Sequence, residues 1–204
     1  MSGSLVLAID TTSDLGSIAL AGDGRVLEEV ALHSADGFAH MLFGEIERLL
    51  ARHKLKITDI DGFAVAAGPG AFTGVRVGLT AAKGLAEATG RKVVAISNLQ
   101  ALASFGTRPL RAPVIDARRG EVFVAIYDSD LRLVSEEVVV KFEDWMKASP
   151  RDAIEIIQGS RELAGAIASI ANSRFQAGLG QDPVDIDANY VRRSDAELFW
   201  RDQT

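Results

Sequence analysis

The same order of predicted elements occurs twice along the chain, and this repetition restricts the folds that the sequence can adopt. In each half, three strands joined by tight turns precede a helix, a further strand and a second helix. An aspartate ends the first strand of each half, at Asp10 and Asp116, and a glycine follows the fourth strand, at Gly68 and Gly159. We therefore predict a duplicated α/β fold with two mixed sheets.

Apolar periodicity and turn residues set the boundaries of these elements. The predicted strands of the first half cover residues 5–9, 17–21, 26–32, 62–67 and 92–96. Its helices are predicted over residues 36–53 and 73–89, and Ser97 is expected to cap a third one. The second half is predicted to have strands over 113–115, 122–127, 131–140 and 154–158 and helices over 142–148 and 162–171. We expect two domains, 1–107 and 108–204, of which the second is reduced.

Two mixed-sheet halves in this order resemble the actin, sugar kinase and heat-shock ATPase superfamily, which has a ribonuclease H-like fold. In that superfamily the halves face each other across a cleft, and hairpins that follow a strand and an aspartate contact nucleotide phosphates. The resemblance implies a site near Asp10 that would hold ATP or ADP with Mg²⁺. A shared fold does not establish an activity, so the residues of each site must be assessed separately.

The loop that follows the fourth strand is a second candidate element of a nucleotide site. Gly68 and Gly70 favour a turn whose amide groups point at an anion above the sheet edge. A purely structural turn is the alternative, because the chain lacks both the GxGxxG pattern and the Walker spacing here. The candidate nucleotide-binding residues are therefore Asp10, Thr11, Gly68 and Gly70.

The turn after Asp10 departs from the superfamily pattern, in which a glycine follows the aspartate. Thr11 occupies that place here, and the first glycine is Gly16. Asp10 either orients Mg²⁺ or accepts hydrogen bonds from its own turn, and the sequence leaves both interpretations open. Asp116 is followed by two arginines that could pair with a carboxylate, so we expect the second site to be degenerate.

The helix predicted over 73–89 is rich in small residues. Its glycines include Gly74, Gly78 and Gly84, and each interior glycine costs about 1 kcal/mol of helix stability relative to alanine. A compensating contact is therefore expected along this helix. Close packing within the chain and contact with a helix of another protein are both open interpretations.

The segments 68–86, 97–103 and 115–125 together carry a family resemblance. They resemble the TsaB (YeaZ) family, and the similarity extends from Leu5 to Tyr190. The resemblance implies a subunit required for the threonylcarbamoyl modification of the adenosine next to the tRNA anticodon (t6A). It also implies that the subunit is not catalytic on its own and requires no cofactor.

The resemblance further implies a heterodimer with a TsaD-like catalytic paralogue, formed as a bundle of the first two helices of each subunit. A TsaE-like ATPase would join this pair, and tRNA would be reached only through the complex. A homodimer of the isolated chain is left open. The expected interface residues lie on the first two predicted helices and are His40, Phe43, Glu47, Gly74, Gly78, Ala81 and Leu85.

Charge and composition limit the other functions. The net charge of −6 and the lack of a basic cluster argue against independent tRNA binding. The chain has no cysteine, no basic segment ahead of its first apolar run and no apolar run of membrane-spanning length. We therefore expect a cytoplasmic protein without disulfides or membrane contact.

Relatives of this fold bind metal through His-x-x-x-His on the first helix, and that pair is missing from the sequence. His33 precedes the predicted helix, and His40 and His53 are 13 residues apart. We therefore expect no metal site, and a metallopeptidase is the least supported function. A stand-alone ATPase or small-molecule kinase is the main alternative to a partner-binding subunit.

Overall fold

Two mixed β-sheets, one from each half of the chain, form the framework of the molecule. The computed structural model describes residues 4–34, 36–149 and 153–191. The first sheet contains β1 (Leu5–Asp10), β2 (Leu15–Gly22), β3 (Arg25–His33), β4 (Gly62–Ala66) and β5 (Lys92–Ile96). The second sheet contains β6 (Leu110–Asp116), β7 (Glu121–Asp128), β8 (Leu133–Lys141) and β9 (Ile154–Ile157).

Helices and short turns of 3₁₀-helix connect and cover these strands. The α-helices of the described residues are α1 (Leu42–Arg52), α2 (Phe72–Thr89), α3 (Asn98–Ala103), α4 (Phe142–Ala148) and α5 (Ala164–Gln176). The 3₁₀ turns cover Ile57–Asp59 and Pro183–Asp185. None of these α-helices has both the length and the apolar content that a membrane span requires.

The strand order is the same in the two halves. It is β3–β2–β1–β4–β5 in the first sheet and β8–β7–β6–β9 in the second. In each sheet the first three strands are antiparallel, and the fourth pairs in parallel with the first. A parallel pair needs a crossover, which contains α1 in the first half and α4 in the second. The predicted duplicated, ribonuclease H-like fold is thereby confirmed, and the described strands of the second sheet include no counterpart of β5.

The first sheet is covered on both faces, which explains why its strands are nearly continuous apolar runs. Side chains alternate across β1, so Leu7 and Ile9 face one layer while Val6 and Ala8 face the other. The first layer is built by α1 and α2, and the second mainly by α5, joined by Ala101 and Leu102 of α3. All four of these β1 side chains are fully buried.

Helix α5 follows the second sheet in sequence but packs on the first sheet. The amide of Ala164 donates to Oγ of Ser17 (3.0 Å), and the amide of Gly165 donates to Oε1 of Glu29 (2.8 Å). In the last turn of the helix, Arg174 donates to the carbonyl oxygen of Ala95 (3.0 Å). The residues on either side of position 107 thus supply separate sheets, while α5 links them; the division into two domains stays a prediction.

The first helix is shorter than predicted, because it begins at Leu42 rather than at Asp36. Gly37 has a φ of +81°, which a right-handed helix does not accommodate. The carbonyl oxygen of Phe38 accepts hydrogen bonds from the amides of Met41 and Leu42, and the Phe38 side chain is buried. The chain therefore turns at Phe38 before the helix starts.

Other boundaries differ less from the prediction. β8 begins at Leu133 rather than at Leu131, which has a φ of +60° and belongs to the preceding turn. Helix α5 continues to Gln176, beyond the predicted end at residue 171. The prediction for Ser97 is confirmed, since its Oγ accepts a hydrogen bond from the amide of Leu99 (3.2 Å) at the start of α3.

After α5 the chain returns to the first half of the molecule. Gln181 forms an antiparallel bridge with Val93 of β5, and Ile186 is buried in the core beside α2. The amide of Asn189 then donates to the carbonyl oxygen of Ala67 (2.8 Å). This path brings Tyr190 to the start of α2, a placement that the sequence analysis did not predict.

Candidate functional site

The carboxylate of Asp10 is buried within its own turn rather than presented to solvent. Asp10 ends β1 and is 1% exposed, and its Oδ1 accepts hydrogen bonds from the amide (2.9 Å) and Oγ1 (2.6 Å) of Thr12. Burial raises the pKa of Asp10 to about 6, against the lowering effect of the two Thr12 hydrogen bonds. Of the two interpretations left open by the sequence, the geometry corresponds to hydrogen bonding within the turn.

Asn98, at the start of α3, joins this turn to the glycine loop. Its Nδ2 donates to Oγ1 of Thr12, and its Oδ1 accepts from the amide of Gly68 (2.9 Å). The backbone amide of Asn98 in turn donates to the carbonyl oxygen of Gly68 (2.8 Å). Sequence analysis missed Thr12 and Asn98; the only signals were their positions just after a strand-ending aspartate and just after a helix cap.

The glycine loop lies directly on the turn that follows β1. The amide of Ala71 donates to the carbonyl oxygen of Thr12 (2.6 Å), and a Cβ at Gly70 would lie 2.6 Å from that same oxygen. The loop amides of Gly68 and Ala71 are therefore used by the chain itself. These contacts do not favour an anion at the loop, and a nucleotide-binding role for Asp10, Thr11, Gly68 and Gly70 stays a prediction. Thr11 is 1% exposed.

The glycines of α2 also face this turn. Oγ1 of Thr11 donates to the carbonyl oxygen of Gly74 (2.7 Å), and a Cβ at Gly74 would overlap the carbonyl oxygen of Thr11. A Cβ at Gly78 would lie 2.7 Å from Oγ1 of Thr11. The expectation that Gly74 and Gly78 present bare backbone to a partner is therefore wrong, because close packing within the chain already uses that surface.

An apolar groove of about 430 Å³ lies between α1 and α2 on the outer side of the helix layer. Two large aromatic side chains are exposed in it, Phe43 (55%) and Phe72 (48%). The residues that line the groove are Ala39, Leu42, Phe43, Phe72, Thr73, Arg76, Val77, Thr80 and Ala81.

The other five expected interface residues divide among three positions. Phe43 and Ala81 line this groove, and Leu85 is half-buried against the core below. His40 and Glu47 are exposed outside the groove lining. A role for these residues in binding a partner stays a prediction.

One end of the groove is closed by an aromatic and cationic stack. The guanidinium carbon of Arg76 lies 3.8 Å from the centroid of the Phe72 ring, and Nε of Arg76 donates to the hydroxyl of Tyr190 (3.1 Å). The Phe72 and Tyr190 rings are stacked, with centroids 5.6 Å apart. The C-terminal segment therefore contributes to this surface.

A second concavity of about 530 Å³ lies between the two halves. Its polar lining includes Thr12, Asn98, Asp116, Arg118, Ser160 and Arg161. Oδ1 of Asp116 accepts a hydrogen bond from the amide of Arg118 (2.8 Å), and Nη1 of Arg118 lies 3.9 Å from the other carboxylate oxygen. Asp116 thus has the same turn as Asp10, but it is exposed and paired with an arginine. Binding of ATP or ADP in this cleft stays a prediction.

The carboxylate of Glu137 links residues from both halves of the chain. Glu137 of β8 accepts hydrogen bonds from Ser97, from the hydroxyl of Tyr127 (2.5 Å) and from Nδ2 of Asn189 (2.5 Å). Burial, together with the hydrogen bond to Glu137, raises the pKa of Tyr127 well above its usual range. These three donors come from the start of α3, from β7 and from the C-terminal segment.

The three histidines lie at the end of β3, ahead of α1 and directly after α1. Nε2 of His53 lies 2.8 Å from Oε2 of Glu28, while His33 and His40 are exposed. In the part of the chain that the structure describes, no cluster of three or more His, Cys, Asp or Glu side chains could hold a metal ion.

The chain is similar to known proteins over most of its length. Residues 29–190 match the family model of TsaD, tRNA N6-adenosine threonylcarbamoyltransferase. The chain is 30% identical to the tRNA threonylcarbamoyladenosine biosynthesis protein TsaB of Bacillus subtilis, over 96% of this chain and 97% of that protein. It is 41% identical to the tRNA N6-adenosine threonylcarbamoyltransferase of Methylobacterium nodulans, over 47% of this chain and 33% of that protein. The solved structure of YeaZ from Pseudomonas aeruginosa matches with a TM-score of 0.78 and 27% identity, over 92% of this chain and 99% of that chain.

Proposed function

Because the chain belongs to the TsaB (YeaZ) branch of the TsaD-type threonylcarbamoyltransferase family, we propose that it binds and activates a TsaD-like catalytic subunit. Its role lies in the biosynthesis of threonylcarbamoyladenosine (t6A) in tRNA. The chain is the scaffold in this complex and supplies no catalytic group. Such a role belongs to the cytoplasm, where tRNA is modified.

The observation that carries this proposal is the apolar groove between α1 and α2. Exposed aromatic side chains are typical anchors of protein interfaces, and Phe43 and Phe72 are both about half exposed here. A groove between two helices can accept the side chains of a helix that packs across it. Exposure of such an apolar surface to water is unfavourable, so a complex in which a partner protein covers it would be stabilised.

The occupant that we propose is the helix pair of a TsaD-like paralogue. The similarity of this chain to a threonylcarbamoyltransferase supports the proposal that such a paralogue has an equivalent first domain with its own two helices. Two equivalent helix pairs can pack groove against groove into a four-helix bundle. An approximate two-fold axis would then relate the two subunits of the complex.

The net charge of the chain bears on whether it could bind tRNA directly. With a net charge of −6, this subunit would not hold the phosphate backbone by itself. The catalytic subunit and a TsaE-like ATPase would supply the remaining contacts. The chain therefore acts on tRNA only as part of the complex.

A stand-alone ATPase or small-molecule kinase is less well supported. Either activity would need the carboxylate of Asp10 to orient Mg²⁺, whereas Oδ1 of Asp10 is bonded to Thr12. Isothermal titration calorimetry with MgATP tests this alternative. Tight binding and turnover that is lost in Asp10→Ala would replace the scaffold proposal.

Size-exclusion chromatography with the TsaD-like protein of the same organism tests the proposed function. Wild-type protein is expected to co-elute with it, and t6A should form in a nucleoside assay only when both subunits and the TsaE-like ATPase are present. Phe43→Glu should abolish co-elution without changing the thermal unfolding of the isolated chain. Leu133→Glu is the matched control, because Leu133 is similarly exposed (51%) but lies on β8.

Two results would contradict the proposal. Undiminished co-elution of Phe43→Glu would exclude the groove as the binding surface. Formation of t6A at the full rate without this chain would remove its role as an activator.

A further inference from the structure

Arg76 is the only charged side chain among the described residues that line the groove. It is exposed, and its guanidinium lies on the face of the Phe72 ring at 3.8 Å. Nε is bonded to the hydroxyl of Tyr190 (3.1 Å), whereas no acidic side chain of the described residues forms an ion pair with it. The N–H groups of the two terminal guanidinium nitrogens are therefore available to bind a group outside the chain.

The guanidinium is held in place before any partner binds. Contact with the Phe72 ring is a cation–π interaction, which favours one position of the arginine head. The hydroxyl of Tyr190 fixes a second side of the same group. An arginine that is already ordered loses less conformational entropy when it forms a salt bridge, and its planar donors suit a carboxylate.

Tyr190 is itself positioned by the segment that carries it. The neighbouring residue Asn189 is bonded through its amide to Ala67 of the first half and through its side chain to Glu137 of the second half. The position of Tyr190, and with it that of Arg76, therefore depends on contacts at the junction of the two halves.

We propose that Arg76 selects the TsaD-like paralogue by pairing with a carboxylate on that paralogue's helix pair. This inference rests on the proposed function, since it concerns the same groove. An interface formed over the groove removes the arginine from water, and an unpaired buried cation opposes binding. The partner must therefore supply an acid opposite Arg76.

A second copy of the same chain fits less well. None of the groove-lining residues in the described chain is acidic, so two copies packed groove against groove would bring no lining carboxylate to Arg76. The like charges of the two arginines would add repulsion. Arg76 thus opposes the homodimer and favours the heterodimer.

The test measures the dissociation constant of the complex with the TsaD-like protein at about 50 and about 300 mM salt. Arg76→Met keeps most of the apolar stem and removes the charge, and it should weaken binding at least about tenfold at low salt and flatten the salt dependence. Arg76→Lys should recover part of the loss. Tyr190→Phe, which removes only the hydroxyl, should weaken binding by a few fold because the arginine is less well positioned.

A charge exchange identifies the partner residue. Arg76→Glu should abolish binding, and Lys substitution of one acidic residue on the partner's first two helices should restore it. The self-association of Arg76→Met, measured by analytical ultracentrifugation, should be at least as strong as that of the wild type.

The outcomes separate this proposal from the proposed function. If Arg76→Met binds as tightly as wild type while Phe43→Glu does not bind, the groove is the interface and the arginine proposal is overturned. If neither substitution weakens the complex, the groove itself is excluded. If Arg76→Met loses affinity but no Lys substitution on the partner's first two helices restores the binding of Arg76→Glu, the carboxylate pairing is overturned.

Discussion

The hydroxyl of Thr11 donates a hydrogen bond to the carbonyl oxygen of Gly74 across 2.7 Å, so the turn after β1 rests directly on the first turn of α2. The same threonine lies beside Gly78, one helical turn further along. Because Gly74 and Gly78 have no Cβ, the turn after β1 can lie against the backbone of α2. The compensation expected for the interior glycines of α2 is therefore a contact within the chain.

Substitution of these glycines should destabilise the protein. A Cβ in Gly74→Ala would overlap a backbone carbonyl that has little freedom to move, so we expect a loss of about 2–3 kcal/mol in the free energy of unfolding despite the better helix propensity of alanine. Gly78→Ala should cost less, because its Cβ would meet a side-chain hydroxyl. Urea unfolding monitored by circular dichroism measures both changes.

Gly84 provides the matched control on the same helix. A Cβ there has open space around it, so Gly84→Ala should stabilise the protein by about 0.5–1 kcal/mol. Equal effects of Gly74→Ala and Gly84→Ala would mean that the close contact with Thr11 does not constrain α2.

The topology was predictable from sequence because most of its signals are local. Hairpin turns, apolar runs and strand-ending aspartates recur in both halves and fix the order of the antiparallel strands. The start of α1 was not predictable in the same way. It depends on burial of Phe38, whose ring lies where a side chain at Gly16 would be, and this tertiary contact determines where the chain turns.

The candidate site was predictable only in part. Sequence analysis identified Asp10 and the glycine loop but not the contact between them, because that contact passes through Thr12 and Asn98, which are 86 residues apart. Sequence analysis named Phe43 as an interface residue, and its side chain is indeed exposed. The inward orientation of Gly74 was not predictable, because a glycine has no side chain whose polarity would indicate which face of the helix is buried.

The buried carboxyl of Asp10 should make stability depend on pH. Its pKa is about 6 in the folded protein, whereas the ordinary pKa of an aspartate is 3.8, so the folded state binds more protons than the unfolded state between these two pH values. The free energy of unfolding should therefore fall as the pH rises from about 4 to about 6, by about 2–3 kcal/mol from this group. Above about pH 6 this contribution is constant.

Asp10→Asn should remove that dependence. The amide oxygen can still accept the two hydrogen bonds from Thr12, but the side chain carries no charge, so the variant should be more stable than wild type near pH 7. Denaturant titrations at a series of pH values between about 4 and about 7.5 measure the difference. Asp14→Asn, at an exposed position in the same turn, is the control, and parallel profiles for wild type and Asp10→Asn would refute the assignment.

Glu137 should contribute to stability through its three donors. Glu137→Gln replaces one carboxylate oxygen with an amide group that cannot accept, so at least one of Ser97, Tyr127 and Asn189 loses its partner. We expect a loss of about 1–3 kcal/mol in urea unfolding. Glu136→Gln changes an exposed neighbour and should have little effect; a similar loss in both variants would indicate a general effect of charge.

A hydrogen bond from the start of α5 to the first sheet should stabilise the attachment of this helix. Ser17 is fully buried, and its Oγ accepts the hydrogen bond of the Ala164 amide at the start of this helix. Ser17→Ala leaves that amide without its acceptor and should cost about 1–2 kcal/mol, with faster hydrogen exchange in the first turn of α5. Ser173→Ala, at an exposed position later in the same helix, is the control. Unchanged exchange in Ser17→Ala would mean that packing alone, and not the cap supplied by the first sheet, holds α5 across the two halves.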